Sequence, residues 1–330
     1  MAEGLKRRTA ATAGGGTARQ VAPGHGLAGA LDPVAAPVAA ARPGGGLLAG
    51  DILAAAYLAA TGLLALVSAA PAGVLLAGLH AVAIAGILAL SRLPAPRRAF
   101  PAFLRIAWPV AVTPLLYMEL ATLNQLLFPG YHDAFVQGWE RALFGVQLSV
   151  AASDWFPSLW LSETLHAGYV SYYLVVPAAL WSAWTAGGRD GLERAAFTTA
   201  LGFFLCYLCF AVFPVAGPRY DFPKITGPPS QGAVFALVHT ILESGSSKGT
   251  AFPSSHVAAT LSAWLAAGAV NRRAFWLLSP FAVALTLGTV YGRFHYGVDA
   301  AAGVLFAVTA FLAAPPLIRR LGTAGAPSGA

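Results

Sequence analysis

The stretch Ala195-Ala-Phe-Thr-Thr-Ala-Leu-Gly-Phe-Phe-Leu-Cys-Tyr-Leu-Cys-Phe-Ala-Val-Phe-Pro-Val215 carries no charged residue. An α-helix needs about 20 such residues to cross ~30 Å of hydrocarbon, so this segment reads as a membrane-spanning helix. Seven comparable apolar runs occur, at about 47–69, 72–91, 106–128, 159–186, 256–270, 274–291 and 297–318. About eight spanning helices are expected, in an all-α polytopic membrane protein. The composition agrees: of 330 residues, 57% are hydrophobic and 10% charged, whereas soluble domains carry about a quarter charged residues. A water-soluble globule is excluded. Cys206 and Cys209 share one apolar run and read as packing residues rather than a disulfide framework.

A net charge of +7 raises nucleic acid as a partner. The cations, however, come in ones to threes between apolar runs and make no long basic face, so no nucleic-acid partner is expected. They read as topology signals. Alternating the eight runs across a bilayer puts 15 of the 20 Lys and Arg on one side: the first 46 residues, Arg92 to Arg105, Arg189, Arg194, Arg272, Arg273, Arg319 and Arg320. Arg141, Arg219, Lys224, Lys248 and Arg293 fall on the other. By the positive-inside rule the richer side is cytoplasmic. The expectation is an integral protein of the plasma (inner) membrane with both termini in the cytoplasm. Residues 1–46, rich in Ala, Gly, Pro, Thr and Arg, read as a disordered basic tail, and 321–330 as a second tail.

On the outer side, residues 133–144 repeat Phe135, Trp139 and Leu143 at helical spacing, with Asp133, Gln137 and Glu140 on other faces. This predicts a short amphipathic helix in the membrane interface, serving as lid or anchor. Glu119 is the one acid well inside an apolar run. Its burial in hydrocarbon costs on the order of 2 to 3 kcal/mol, so it should face the bundle interior, either building the site or bonding a neighbouring helix.

Four of the five outer cations lie in or beside two segments at outer helix ends, Pro214 through His256 and Tyr291 through Asp299. Topology alone would place cations on the opposite side, so the cluster reads as an anion site. Pro253-Ser-Ser-His256 resembles a helix start, where Ser254 caps and the free amides near Ser254 and Ser255 suit a phosphate. His295 and Asp299 are four residues apart and so share a helix face. Asp299 can accept the Nδ1 proton of His295, leaving Nε2 as nucleophile or base. Arg293 stands two residues before that histidine, where a guanidinium could hold phosphoryl oxygens. No metal and no cofactor are expected, since ligand spacings are missing and the fixed cations would repel a metal. His25, His80, His132, His166 and His239 carry no such pattern.

At these residues the chain resembles the type 2 phosphatidic acid phosphatase superfamily, and within it the inositol phosphorylceramide synthase-like branch. Pro253 to His256 matches the second family motif, Pro-Ser-x-His. His295 to Asp299 matches the end of the third, and Arg293-Phe-His-Tyr296 resembles the branch's Arg-Tyr-His-Tyr form. Glu140 to Gly145 and Leu165 to Tyr173 also look like segments of that branch. Two departures stand out. The first motif, Lys-x6-Arg-Pro, has Val212 at the lysine position and Tyr220 after Arg219, so Lys248 or Lys224 would have to supply the charge. The usual Ser-Arg of the third motif lies farther before its histidine than Gly292-Arg293 does.

The resemblance implies a six-helix catalytic domain over 104–320, preceded by two additional spanning helices in 47–100. It implies an extracytoplasmic phosphatase or phosphotransferase acting on a membrane lipid phosphate. His295 would form a phosphohistidine, Asp299 would stabilise the imidazolium, and His256 would protonate the leaving oxygen. Arg219, Arg293 and Lys248, with the amides near Ser254 and Ser255, would bind phosphate oxygens. Water, or an alcohol such as inositol, would accept the phosphoryl group. The rival of another class is an anion or lipid transporter using the basic pocket only for binding. Such proteins commonly place ionisable groups near the midplane and repeat internally, and neither feature is evident in the sequence.

Overall fold

The computed structural model describes residues 46–324. The first expected tail, apart from Gly46, and residues 325–330 of the second lie outside the described residues. Among the described residues the chain is helical, with one isolated bridge between Val215 and Thr250. In chain order the helices are α1 (Ala49–Val67), α2 (Pro71–Ser91), α3 (Ala99–Ala111), α4 (Thr113–Leu127), α5 (Asp133–Phe144), α6 (Leu148–Trp155) and α7 (Leu159–Val170). They continue as α8 (Tyr172–Val212), α9 (Pro218–Asp221), α10 (Ala233–Gly245), α11 (Ser255–Val270), α12 (Arg272–Tyr291) and α13 (Gly297–Ala324). The last helix takes in the first four residues of the expected C-terminal tail, 321–324.

Among the described residues, six segments are long and apolar enough to cross a membrane: α1, α2, α3 with α4, α8, α12 and most of α13. The difference from eight apolar runs has a physical basis. Helix α11, at 16 residues, is shorter than a full span, and α8 carries apolar residues of two runs. Gly188 interrupts α8 with φ 61° and ψ −144°, outside the helical region. Tyr172 then meets Phe203 with ring centroids 6.3 Å apart. A straight helix would separate those residues by about 46 Å at 1.5 Å per residue, so α8 doubles back at Gly188.

The core forms where small residues let helices approach closely. Ala258, Ala259, Ala263, Ala266 and Ala267 of α11 are fully buried and join one apolar cluster with Phe203, Cys206, Tyr207 and Phe210 of α8. Both cysteines are free, and Cys206 is part of this packing. Glu119 bonds a neighbouring helix: both its carboxylate oxygens lie 3.1 Å from Nε2 of His80 on α2. His80 Nδ1 is 3.1 Å from the Leu58 carbonyl of α1, so one buried polar knot ties three helices inside the apolar layer.

The bundle has two polar ends. At one, the C-terminus of α8 pairs with the segment before α11 through Val215 and Thr250, and the Ser254 amide donates to the Asp299 carbonyl at 2.9 Å. At the other, Arg105 grips Asp51, Arg189 donates to the Pro96 carbonyl, and Asn271 donates to Ser182. Arg272 and Arg273 open α12 at this second end.

Candidate active site

At the first end, three separate stretches meet around one pocket. Helix α11 starts at Ser255, with the Ser254 hydroxyl accepting from the Val257 amide at 3.4 Å. This sets His256 in the first turn. His295 lies in the short link between α12 and α13. The two imidazole centroids are 5.9 Å apart. Arg219 comes from α9, after a turn at Gly217, whose φ of 100° favours glycine. A Cβ there would also meet the Ala251 Cβ at 2.9 Å. His256, His295, Arg219, Tyr117, Tyr169, Tyr220, Leu242, Ser246, Ser247, Thr250 and Phe294 line the pocket.

The hydrogen bonding of His295 differs in one respect from expectation. Its Nδ1 lies 2.9 Å from the Ala251 carbonyl oxygen, whereas Asp299 Oδ2 stands at 3.5 Å. A carbonyl only accepts, so Nδ1 carries the proton and Nε2 keeps its lone pair. The Asp299 oxygen instead accepts the Tyr296 amide at 2.7 Å. It remains the buried carboxylate nearest the ring. Burial pushes the His295 imidazole down to about 4, against the opposing pull of its bond to Ala251.

His256 Nε2 is 3.3 Å from the Tyr169 hydroxyl, which can donate to the neutral ring or accept from the protonated one. Arg219 NH1 reaches the Ser246 hydroxyl at 3.5 Å, and its guanidinium lies 5.8 Å from the Tyr220 ring centre. Lys248 places its ammonium 4.6 Å from the Tyr131 ring and 5.2 Å from the Tyr220 ring. Lys224 is turned to an exposed pair with Glu243 at 3.6 Å. Of the two lysines, Lys248 is the one whose charge shares an aromatic neighbour with Arg219.

Arg293, Ser254 and Ser255 lie beside the pocket without lining it. The Arg293 guanidinium is committed elsewhere: to the Ser153 hydroxyl at 2.9 and 3.2 Å, Asp154 Oδ1 at 2.8 Å and the Pro223 carbonyl at 2.7 Å. Its backbone has φ 58°, unusual for a residue with a Cβ. These four bonds hold the turn before His295 in that conformation. Ser254 and Ser255 are buried, and the Ser254 amide is already donating to Asp299.

Two groups escaped sequence reasoning. Tyr169 lies in the segment Leu165 to Tyr173, where its aromatic type gave no reason to single it out. Asp133 and Glu140 sit on the polar face of α5, whose lid or anchor reading left no task for buried acids. Their presence on a helix whose sequence reads as interfacial was the available signal.

The PAP2 superfamily profile matches residues 135–313. Neither a curated protein nor a solved structure matches the chain.

Proposed function

Because the chain belongs to the PAP2 superfamily, we propose that it is an integral-membrane phosphatase or phosphotransferase acting on a lipid phosphate through a phosphohistidine. One observation carries the reading: two imidazoles, His295 with a free Nε2, face a common pocket whose wall bears Arg219. The Nε2 lone pair of His295 forms a P–N bond as the P–O bond to the lipid breaks. The leaving oxygen takes a proton from His256. Burial and the neighbouring His295 disfavour its charged form, and the negative charge of the bound phosphate offsets this, so that the ring enters as the imidazolium. Water or an alcohol then attacks phosphorus and gives its proton to His256, and the P–N electron pair returns to His295. Asp299 stabilises the imidazolium stage. Arg219, helped by Lys248, neutralises phosphoryl oxygens, so the proposed chemistry needs no metal. Arg293 serves this site by holding the His295 turn.

The basic residues at the end remote from the pocket favour an orientation with that end, and both termini, in the cytoplasm, and with the pocket extracytoplasmic in the plasma (inner) membrane. Residues 104–320 would then form the catalytic domain and 47–100 an added helical pair. A second reading, transfer to an alcohol such as inositol, as in the inositol phosphorylceramide synthase-like branch, draws on the hydroxyl-rich pocket wall. Tyr117, Tyr169, Tyr220, Ser246, Ser247 and Thr250 all line it, and the buried Ser247 hydroxyl has no partner.

Purified protein should release phosphate from phosphatidic acid or a related lipid phosphate. A headgroup-bearing product formed in proportion to added inositol would select the transferase. Labelled-phosphate flux in proteoliposomes that survives loss of both His256 and His295 would instead favour transport and sink the enzyme reading.

The pH dependence follows from His295. Only the neutral ring can attack, and burial favours the neutral ring, so protonation removes the nucleophile only as pH falls through about 4. After correction for substrate ionisation, kcat/KM should show no acid limb from the nucleophile between pH 7 and about 5. A limb near the ordinary histidine value, about 6.5, would contradict the buried nucleophile.

A further inference from the structure

Helix α5 presents an inverted amphipathicity. Phe135, Trp139 and Leu143 are 62%, 43% and 69% exposed, while Asp133 and Glu140 are buried. The two acids are seven residues apart, two helical turns, and so share the inward face. Among the described residues, the hydrogen bonds of both acids come from neutral donors. Asp133 accepts the Ala216 amide at 2.8 Å and the Gly217 amide at 2.7 Å, just before Arg219, and also the Tyr296 hydroxyl at 3.0 Å. Glu140 accepts the amides of Gly297 and Val298, both at 2.9 Å, and that of Leu148 at 3.0 Å.

The Gly297 and Val298 amides are free donors of the first turn of α13, which a helix cannot satisfy itself. Glu140 caps them from another element and places a full negative charge at the positive helix end. These donors lie between His295, in the link, and Asp299, in the first turn of α13. Charge-assisted bonds to backbone amides are among the stronger hydrogen bonds and are directional. Each acid therefore fixes one side of the pocket.

We propose that Asp133 and Glu140 are positioning residues, which make α5 a two-carboxylate clamp: Glu140 sets the His295 link and Asp133 sets the Arg219 turn. The proposal rests on the reading of His295 as nucleophile and Arg219 as phosphate ligand. It assigns the two acids different kinetic effects, because one holds the attacking group and the other a binding group.

Glu140→Gln replaces one acceptor oxygen by an NH2 that faces an N–H donor. It should lower kcat roughly 100-fold, the scale of a 1 Å misplacement, and leave KM within about threefold. Asp133→Asn should raise KM for lipid phosphate, and the Kd for inorganic phosphate measured by calorimetry, roughly tenfold, with kcat within about threefold. Leu143→Ala, on the exposed face, should alter neither parameter by more than about twofold. A purely structural role predicts something else: both variants lose activity in proportion to folded protein, with kcat and KM per folded molecule unchanged. That result, failure of both to fold, or a kcat effect confined to Asp133→Asn would overturn the proposal. If only Glu140→Gln fails to fold, Asp133→Asn decides through its KM. Inorganic phosphate binding needs no turnover. A wild-type protein inactive on every lipid phosphate would defeat the functional reading, while weakened phosphate binding by Asp133→Asn would still support the clamp.

Discussion

His295→Ala is expected to reduce turnover roughly 10⁴-fold, the loss typical when a covalent nucleophile is removed and binding contributions remain. The argument is geometric. The Ala251 carbonyl claims the Nδ1 proton at 2.9 Å, so the lone pair is left on Nε2 of a ring that lines the pocket. The link carrying that ring is tied at both flanks, by Arg293 to Ser153, Asp154 and Pro223, and by the amides of Gly297 and Val298 to Glu140. Truncation to Ala leaves those ties in place and removes the ring, losing the attacking Nε2 together with the Nδ1 bond to Ala251. Rapid quenching of wild-type protein with ³²P-labelled lipid phosphate should trap label that is stable to alkali and lost in acid, the behaviour of a P–N bond. The variant should trap none. Full turnover by the variant would end the covalent mechanism.

His256→Gln should cost about 10² to 10⁴-fold on a lipid phosphate, the range attributed to a positioned general acid or base. The size of the loss should depend on the leaving group. A lipid alkoxide is a poor leaving group and needs a proton as its bond breaks. An aryl phosphate expels a stable phenoxide as its phosphoryl group is transferred, so on that substrate the formation of the phosphoenzyme should be reduced by less than about tenfold. His295→Ala, in contrast, should be equally damaging on both substrates. Burst kinetics on the two substrates would make the distinction. Equal losses for His256→Gln on both would remove His256 from the leaving-group side and leave it a pocket-shaping role beside Tyr169.

Much of this site was legible in the sequence because its signals are local. The Ser254 cap and the His295 to Asp299 spacing depend on helical geometry within four residues, and His256 and His295 do meet at one pocket. The membrane-spanning character was equally legible, since it follows from uninterrupted apolar length. What local pattern could not reach was direction. Arg293 reads as a phosphate ligand from its place beside His295, yet its guanidinium turns to Ser153 and Asp154, about 140 residues earlier in the chain. The proton of His295 goes to Ala251, 44 residues away, rather than to the carboxylate four residues away. Glu119 had two equal readings until His80, on a different helix, proved to be its partner.

The sequence alone determined that apolar segments lie in lipid, because transfer of about 20 residues into hydrocarbon is an additive property of the residues themselves. It also determined which residue types stand at helix starts, because capping and i, i+4 neighbourhood are set by the backbone repeat. Tertiary structure decided which polar groups would be spent on the scaffold and which would face the pocket. Buried donors and acceptors must find partners, and here those partners arrive on helices far apart in the chain. That requirement draws Asp133 and Glu140 inward, commits Arg293 to its turn, and leaves His256, His295 and Arg219 on the pocket wall.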